Sequence, residues 1–194
     1  MNSDSPRNLS WKLNWFRQSE LEGALLLGRM VGTVDDPDLI QRLTQHCAEE
    51  AEHSRLWAEA IAQLDLPTVR IHRSYQSFYL RHAGPPATLL DVLCFTQIFE
   101  RRVHRRFQEE VARPDLPEPA RRAFAKMIED ERDHLGWVAA WLRQRSEAAG
   151  GLRRYAAIDR QVFAELAPFE QCLWKIPGLG RESNDSSPVT IRQS

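Results

Sequence analysis

With 194 residues, 42% of them hydrophobic and 27% charged, the chain can bury one core and is too apolar to be disordered throughout. Its 26 basic and 27 acidic side chains leave a formal charge of -1, so no bulk field draws it to nucleic acid. Three scattered cysteines, Cys47, Cys94 and Cys172, form no CxxC pair, which excludes a rubredoxin-type iron site, a structural zinc cluster and a disulfide framework. The first residues carry no apolar stretch behind a basic start, and no apolar run approaches the ~18 residues of a membrane span. The expected compartment is the cytoplasm, with no nucleic-acid partner and no membrane span.

Helical periodicity dominates and strand-like alternation is hard to find. After a tail over residues 1–9, a first helix is expected from Ser10 to Val31, closing at Gly32-Thr33. Asp36 and Pro37 form a cap and first-turn pair for a second helix, which Pro67 would stop after Leu66. Gly84-Pro85-Pro86 opens a third helix reaching Val111, and Pro114, Pro117 and Pro119 mark the junction to a fourth, running to Glu147. Gly150-Gly151 then separates a shorter fifth helix, Leu152 to Trp174. These elements make an all-α domain over residues 10–176, and the polar stretch 177–194 is expected to be disordered.

Short turns join helix one to two and helix three to four, so each pair should be antiparallel. The segment from Pro67 to Pro86 is far longer than the usual loop of about 4–6 residues and reads as a crossover between two helical hairpins.

Helices two and four carry one pattern, Glu50-Ala51-Glu52-His53 and Glu131-Arg132-Asp133-His134. Residues three apart share a helical face, so each Glu and His can point at one centre, and carboxylate with imidazole suits a first-row transition metal. Both pairs interrupt apolar stripes, Leu39, Leu43, Trp57, Ile61 and Leu64 in one and Phe124, Met127, Val138, Trp141 and Leu142 in the other. Buried charge is costly unless it is paired or metal-bound. The neighbours Glu49, Glu52, Glu129 and Asp133 fall on other faces and read as solvated charges. Glu100 is the one acid on the apolar side of the middle of helix three, opposite Arg101, Arg102, Arg105 and Arg106. In helix one, Glu20 shares a face with Phe16, Gly23, Ala24, Leu27 and Val31, with Glu22 as the alternative. Glu20 precedes Glu50 by 30 residues and Glu100 precedes Glu131 by 31, the spacing of two like hairpins.

This set resembles the ferritin-like di-iron carboxylate superfamily, in which two helices each give a Glu and two others each give Glu-x-x-His. The resemblance covers Ser10 to Arg145 and implies a ferritin-like four-helix bundle with a fifth helix at its end or in a homodimer interface. It implies two metal ions on Glu20, Glu50, His53, Glu100, Glu131 and His134, with Glu50 and Glu131 bridging. Iron is the expected metal, with manganese or a mixed pair as alternatives. The implied activity is an oxygen-activating oxidoreductase of hydroxylase or oxygenase type, taking dioxygen, a small organic substrate and electrons from an external donor. The alternative is iron oxidation, storage or metal handling without an organic substrate; a third is a binding protein that keeps the bundle around zinc. Val103 stands where rubrerythrin-like proteins carry a further Glu, which weakens a peroxide-reducing role.

His46, one turn before Glu50, and His104, one turn after Glu100, are candidates for extra ligands, His46 at a spacing that resembles some di-iron N-oxygenases. The plainer reading hydrogen-bonds each to a liganding carboxylate, and it is the reading preferred here. Trp57, Trp137 and Trp141 read as packing ahead of a substrate pocket, the basic run Arg101–Arg106 as a solvated face, and Tyr75 and Tyr79 as a cover over the site ahead of a radical carrier.

Overall fold

The computed structural model describes residues 6–174, with side chains for 8–167. Among them are six helices and no strand: α1 (Pro6–Val31), α2 (Pro37–Gln63), α3 (Tyr75–Ala83), α4 (Leu89–Val111), α5 (Glu118–Arg143) and α6 (Ala148–Trp174). No helix is long and apolar enough to cross a membrane among the described residues. The chain is all-α and packs as a helical bundle. α1 lies along α2, α4 along α5, and α2 meets α5 across the core. α1 and α4 touch only sparsely, and α3 and α6 fill in beside them.

Several boundaries differ from the sequence reading. The expected tail over 1–9 is helical from Pro6 onward, so α1 takes in its last residues. α2 ends at Gln63 and not at Leu66, because Asp65 adopts the left-handed region with φ 52°. Leu66 N then donates to Ile61 O at 3.0 Å and Asp65 N to Ala62 O at 3.1 Å, a Schellman closure that ends the helix before Pro67 is reached. The expected crossover is not a bare loop. Ser74 caps a nine-residue helix within it, α3, in a reciprocal box with Ser77.

Thr88, whose side chain accepts from Asp91 N at 3.1 Å, caps α4 two residues beyond Pro86. α5 stops at Arg143, short of Glu147. α6 is not short, at 27 residues, and contains both glycines that were expected to break it. At Gly151 a Cβ would stand 2.7 Å from Cys94 Sγ, so this glycine serves close α6–α4 approach instead of a turn. The expected domain end at 176 and the tail 177–194 lie outside the described residues.

The core is aromatic and aliphatic. Phe16, Trp57, Phe107 and Phe124 form one cluster, with Phe16 and Phe107 centroids 5.1 Å apart and Trp57 and Phe124 4.7 Å apart. The beginning of α1 is anchored by polar contacts. Ser10 Oγ and Asn14 Nδ2 donate to Pro67 O at 2.7 and 3.1 Å, and Val69 N donates to Asn14 Oδ1 at 3.2 Å. Lys12, fully buried, reaches Glu110 of α4 with Nζ 3.0 and 3.1 Å from its two oxygens.

Candidate metal centre

α1, α2, α4 and α5 bring all six expected residues into the core, where Glu20, Glu50, His53, Glu100, Glu131 and His134 are each at most 6% exposed. They form two groups. Glu20, Glu50, His53 and Glu131 make one, and His46, Glu50, Glu100 and His134 make the other; in each, one donor atom per residue lies within 4.8 Å of the rest. Glu50 belongs to both. Glu131 enters only one, so the groups share a single carboxylate where two bridging carboxylates were expected.

Separations within the groups suit a common cation. His134 Nδ1 lies 3.4 Å from Glu50 Oε1 and His46 Nε2 3.1 Å from Glu100 Oε1 in one, and His53 Nδ1 lies 3.8 Å from Glu50 Oε1 and 3.9 Å from Glu20 Oε2 in the other. Between the groups, His134 Nδ1 lies 3.7 Å from Glu131 Oε2. Ligands about 2.0–2.2 Å from one ion stand roughly 3–4 Å from one another. Hydrogen-bond accounting agrees. His46 Nδ1 and Nε2, His53 Nδ1, His134 Nδ1, Glu50 Oε1, Glu100 Oε2 and Glu131 Oε2 are buried without a hydrogen bond. Orphaned polar atoms are rare in a core, and so many converging on one spot need a partner that is not a side chain. Four carboxylates also carry the charge that two divalent ions would balance. The donor set therefore fits two such ions.

The outer nitrogens are occupied instead. His134 Nε2 pairs with Glu49 Oε2 at 2.8 Å and His53 Nε2 with Asp130 Oδ2 at 3.0 Å. The arrangement is reciprocal: α2 steadies the histidine of α5, and α5 steadies that of α2. A carboxylate on Nε2 takes the N–H and leaves the inward Nδ1 lone pair free for a metal. Glu49 is thus not the plain solvated charge its helical face implies, and Asp130 escaped the sequence reading. The signal was present, because an acid directly precedes the Glu of each Glu-x-x-His.

Burial would raise Glu49, but Gln45 and His134 outweigh it and hold this carboxyl below its usual value. Burial likewise opposes, and Lys126 and His53 outweigh, at Asp130, which is also lowered. Burial, followed by the charges of Glu50 and Glu131, pushes Glu20 well up, and Trp57 Nε1 donates to its Oε1 at 3.3 Å. Burial, then Glu100, raises Glu131 to about 8. At Glu50 burial acts upward, but the close imidazoles of His134 and His46, each 3.4 Å from Oε1, carry it below the carboxylate range.

Between the candidates in helix one, the fold selects Glu20. Glu22 accepts from Ser74 Oγ at the start of α3 and from Gln18 Nε2 at 2.9 Å. Gly23, one turn from Glu20, lets α1 approach, since a Cβ there would meet Glu50 Oε2 at 2.7 Å. His46 lies beside two of the carboxylates and is also one of the four possible donors of the second group. Its Nε2 lies 3.1 Å from Glu100 Oε1 and 3.4 Å from Glu50 Oε1, and its ring centroid is 3.7 Å from that of His134. It stands among the donors, with Trp137 edge-on at 5.6 Å. His104 lies outside both groups, with Nε2 3.3 Å from Gln108 Nε2 and no carboxylate partner among the described residues. Burial and then Arg132 lower its pKa.

The histidines flank one side of the centre. On the other, between α1 and α4, a cavity of about 30 Å³ touches Glu20, Glu50, Glu100 and Glu131, under Phe95, Phe99 and Gln76. Tyr75 and Tyr79 do not line this cavity; they are buried behind it, against Phe99 at 5.6 Å and Phe95 at 4.8 Å, where Tyr75 stacks on Phe163 at 5.5 Å and the Tyr79 hydroxyl donates to Asp159. Burial, then that carboxylate, pushes the Tyr79 phenol strongly up.

Comparison with protein-family models, with curated proteins and with solved structures finds no match to this chain.

Proposed function

We propose that the chain is a ferritin-like di-iron carboxylate protein and an oxygen-activating oxidoreductase acting on a small organic substrate. The observation that carries this reading is the pair of buried donor groups joined at Glu50, with inward nitrogens and oxygens unsatisfied and outer imidazole nitrogens held by Glu49 and Asp130. Glu20, Glu50, His53 and Glu131 would hold one ion, and His46, Glu50, Glu100 and His134 the other. Two iron ions there would supply the redox chemistry by which dioxygen oxidises a bound substrate, with electrons from a separate donor.

The chain's own part is positional. Glu49 and Asp130 fix the imidazole rings, Trp57 fixes Glu20, and Phe16, Phe95 and Phe99 keep bulk water from the carboxylate side. Thr96 and Gln76 are the non-liganding polar groups beside the carboxylates in that cavity that lie on α4 and α3. A third imidazole, His46, adds a neutral nitrogen donor to the group that contains Glu100.

One observation favours the second reading, iron oxidation or metal handling without an organic substrate. A space of about 30 Å³ beside the carboxylates holds about one water and no carbon skeleton, so a substrate requires the roof to move. Anaerobic loading with ferrous iron followed by oxygen separates the two. Two irons per chain, a new absorption band on admitting oxygen, and no uptake of further iron favour the oxidoreductase. Continued uptake and oxidation of iron beyond two per chain favours storage. Absence of iron binding rejects both.

A further inference from the structure

The basic run of α4 is not simply a solvated face. Arg101, Arg102, Arg105 and Arg106 line a cavity of about 480 Å³ between α4 and α6, joined there by Arg160. Arg102 is neutralised, its guanidinium held by Asp159 with Nε 2.9 and 3.0 Å from the two carboxylate oxygens. Arg106 reaches Glu110 at 3.5 Å. Arg101, Arg105 and Arg160 have no hydrogen-bond or ion-pair partner among the described residues. Glu109 is the one other acid in the lining. Arg101 with Arg105 and Arg102 with Arg106 are like charges one helical turn apart, a spacing that costs an isolated helix stability. The far wall is aromatic. Phe163 has Tyr75 stacked 5.5 Å away and the Arg102 guanidinium 4.0 Å over its ring.

We propose that this cavity binds a small molecule carrying a phosphate or carboxylate head on a planar apolar body. Guanidiniums are the side chains best suited to hold such a head by paired, charge-assisted hydrogen bonds, and Arg101, Arg105 and Arg160 bring three to one cavity. Phe163, Tyr75 and Ile98 give the body an apolar surface, and the volume falls within the range of small-molecule sites. A concave lining of this kind favours a small molecule over a flat macromolecular partner. Phe16 and Val103 line both this cavity and the small one beside the carboxylates, so the ligand's apolar end would stand two side chains from the metal centre. Binding itself is independent of the di-iron reading, and it can be tested whether or not metal is present.

The experiment is calorimetric titration of the full-length protein as purified, with phenyl phosphate, inorganic phosphate and the neutral ether anisole as probes. Phenyl phosphate should bind at one per chain, at least roughly tenfold more tightly than inorganic phosphate, and more weakly as salt is raised. Anisole should not bind. Arg105→Gln and Arg160→Gln should each weaken phenyl phosphate roughly tenfold. Both side chains are exposed, so thermal melts of the variants should match the parent. Absence of saturable phenyl phosphate binding, or binding unchanged in both variants, overturns the proposal. Equal affinity for inorganic phosphate overturns the apolar half of the ligand assignment.

Discussion

At the scale of single residues, Glu50 and His46 make separable claims. Glu50 belongs to both donor groups and His46 to one. Glu50→Ala should therefore abolish binding of both ions, whereas His46→Ala should lose one and keep the other. Elemental analysis after loading and desalting reads the difference; two ions retained by Glu50→Ala would reject the shared ligand. Protons compete for the same atoms. Burial opposes but Glu131 and Glu50 outweigh it at His134, carried up to about 12, and Glu100 does the same at His46, carried up to about 9. Glu131 is raised from 4.5 to about 8, first by burial.

Each raised group keeps a proton in the folded chain that the unfolded chain has already lost. The metal-free protein should thus lose stability as pH rises, through 4.5 to about 8 for Glu131 and through 6.5 to about 9 for His46. Glu50, lowered, acts oppositely, giving stability above 4.5 that is lost on acidification. Metal needs these ligands deprotonated, so the gain in Tm on loading should widen from about pH 5.5 to 8. A gain independent of pH would contradict this account of the site.

The six expected residues were legible because each interrupts an apolar stripe at helical spacing. Glu49 and Asp130 were not, because their faces look solvated until α2 and α5 are packed together. The placement of His46 among the donors likewise depends on how closely α4 and α5 approach α2, which spacing along one helix does not give.

Among the elements, the end of α2 offers a local test. Asp65 holds φ 52° with a side chain that disfavours it, and glycine would not. Asp65→Gly should stabilise the fold by about 0.5–1 kcal/mol, read as a raised urea midpoint at unchanged slope. A loss of stability would mean that the Asp65 side chain contributes something beyond its backbone conformation. This turn also shows why element boundaries escaped the sequence. Pro67 is a visible stop, yet the helix closes earlier through backbone hydrogen bonds that no single residue type announces. α3 was missed because its nine residues are too few for a periodic signal and owe their place to the Ser74 cap and to Gln76, which hydrogen-bonds Ser19 of α1. The glycines of α6 misled for a different reason: one is required by the proximity of Cys94 and not by a turn.

Across the whole molecule, the Lys12–Glu110 pair ties α1 to α4, two helices that otherwise meet little on the side where the carboxylate cavity lies. Removing one member of a buried pair strands the other. Lys12→Ala should therefore cost about 3–5 kcal/mol of stability in denaturant unfolding. A change under about 1 kcal/mol would show that Glu110 is sufficiently held by Arg106 and Arg113 alone. The proposed two-ion centre around Glu50 draws on α1, α2, α4 and α5 together. Anomalous diffraction at the iron edge from crystals of iron-loaded protein tests it most directly. Two peaks about 3.5–4 Å apart are expected, one among Glu20, Glu50, His53 and Glu131 and the other among His46, Glu50, Glu100 and His134. A single peak, no peak, or iron bound away from Glu50 would contradict it.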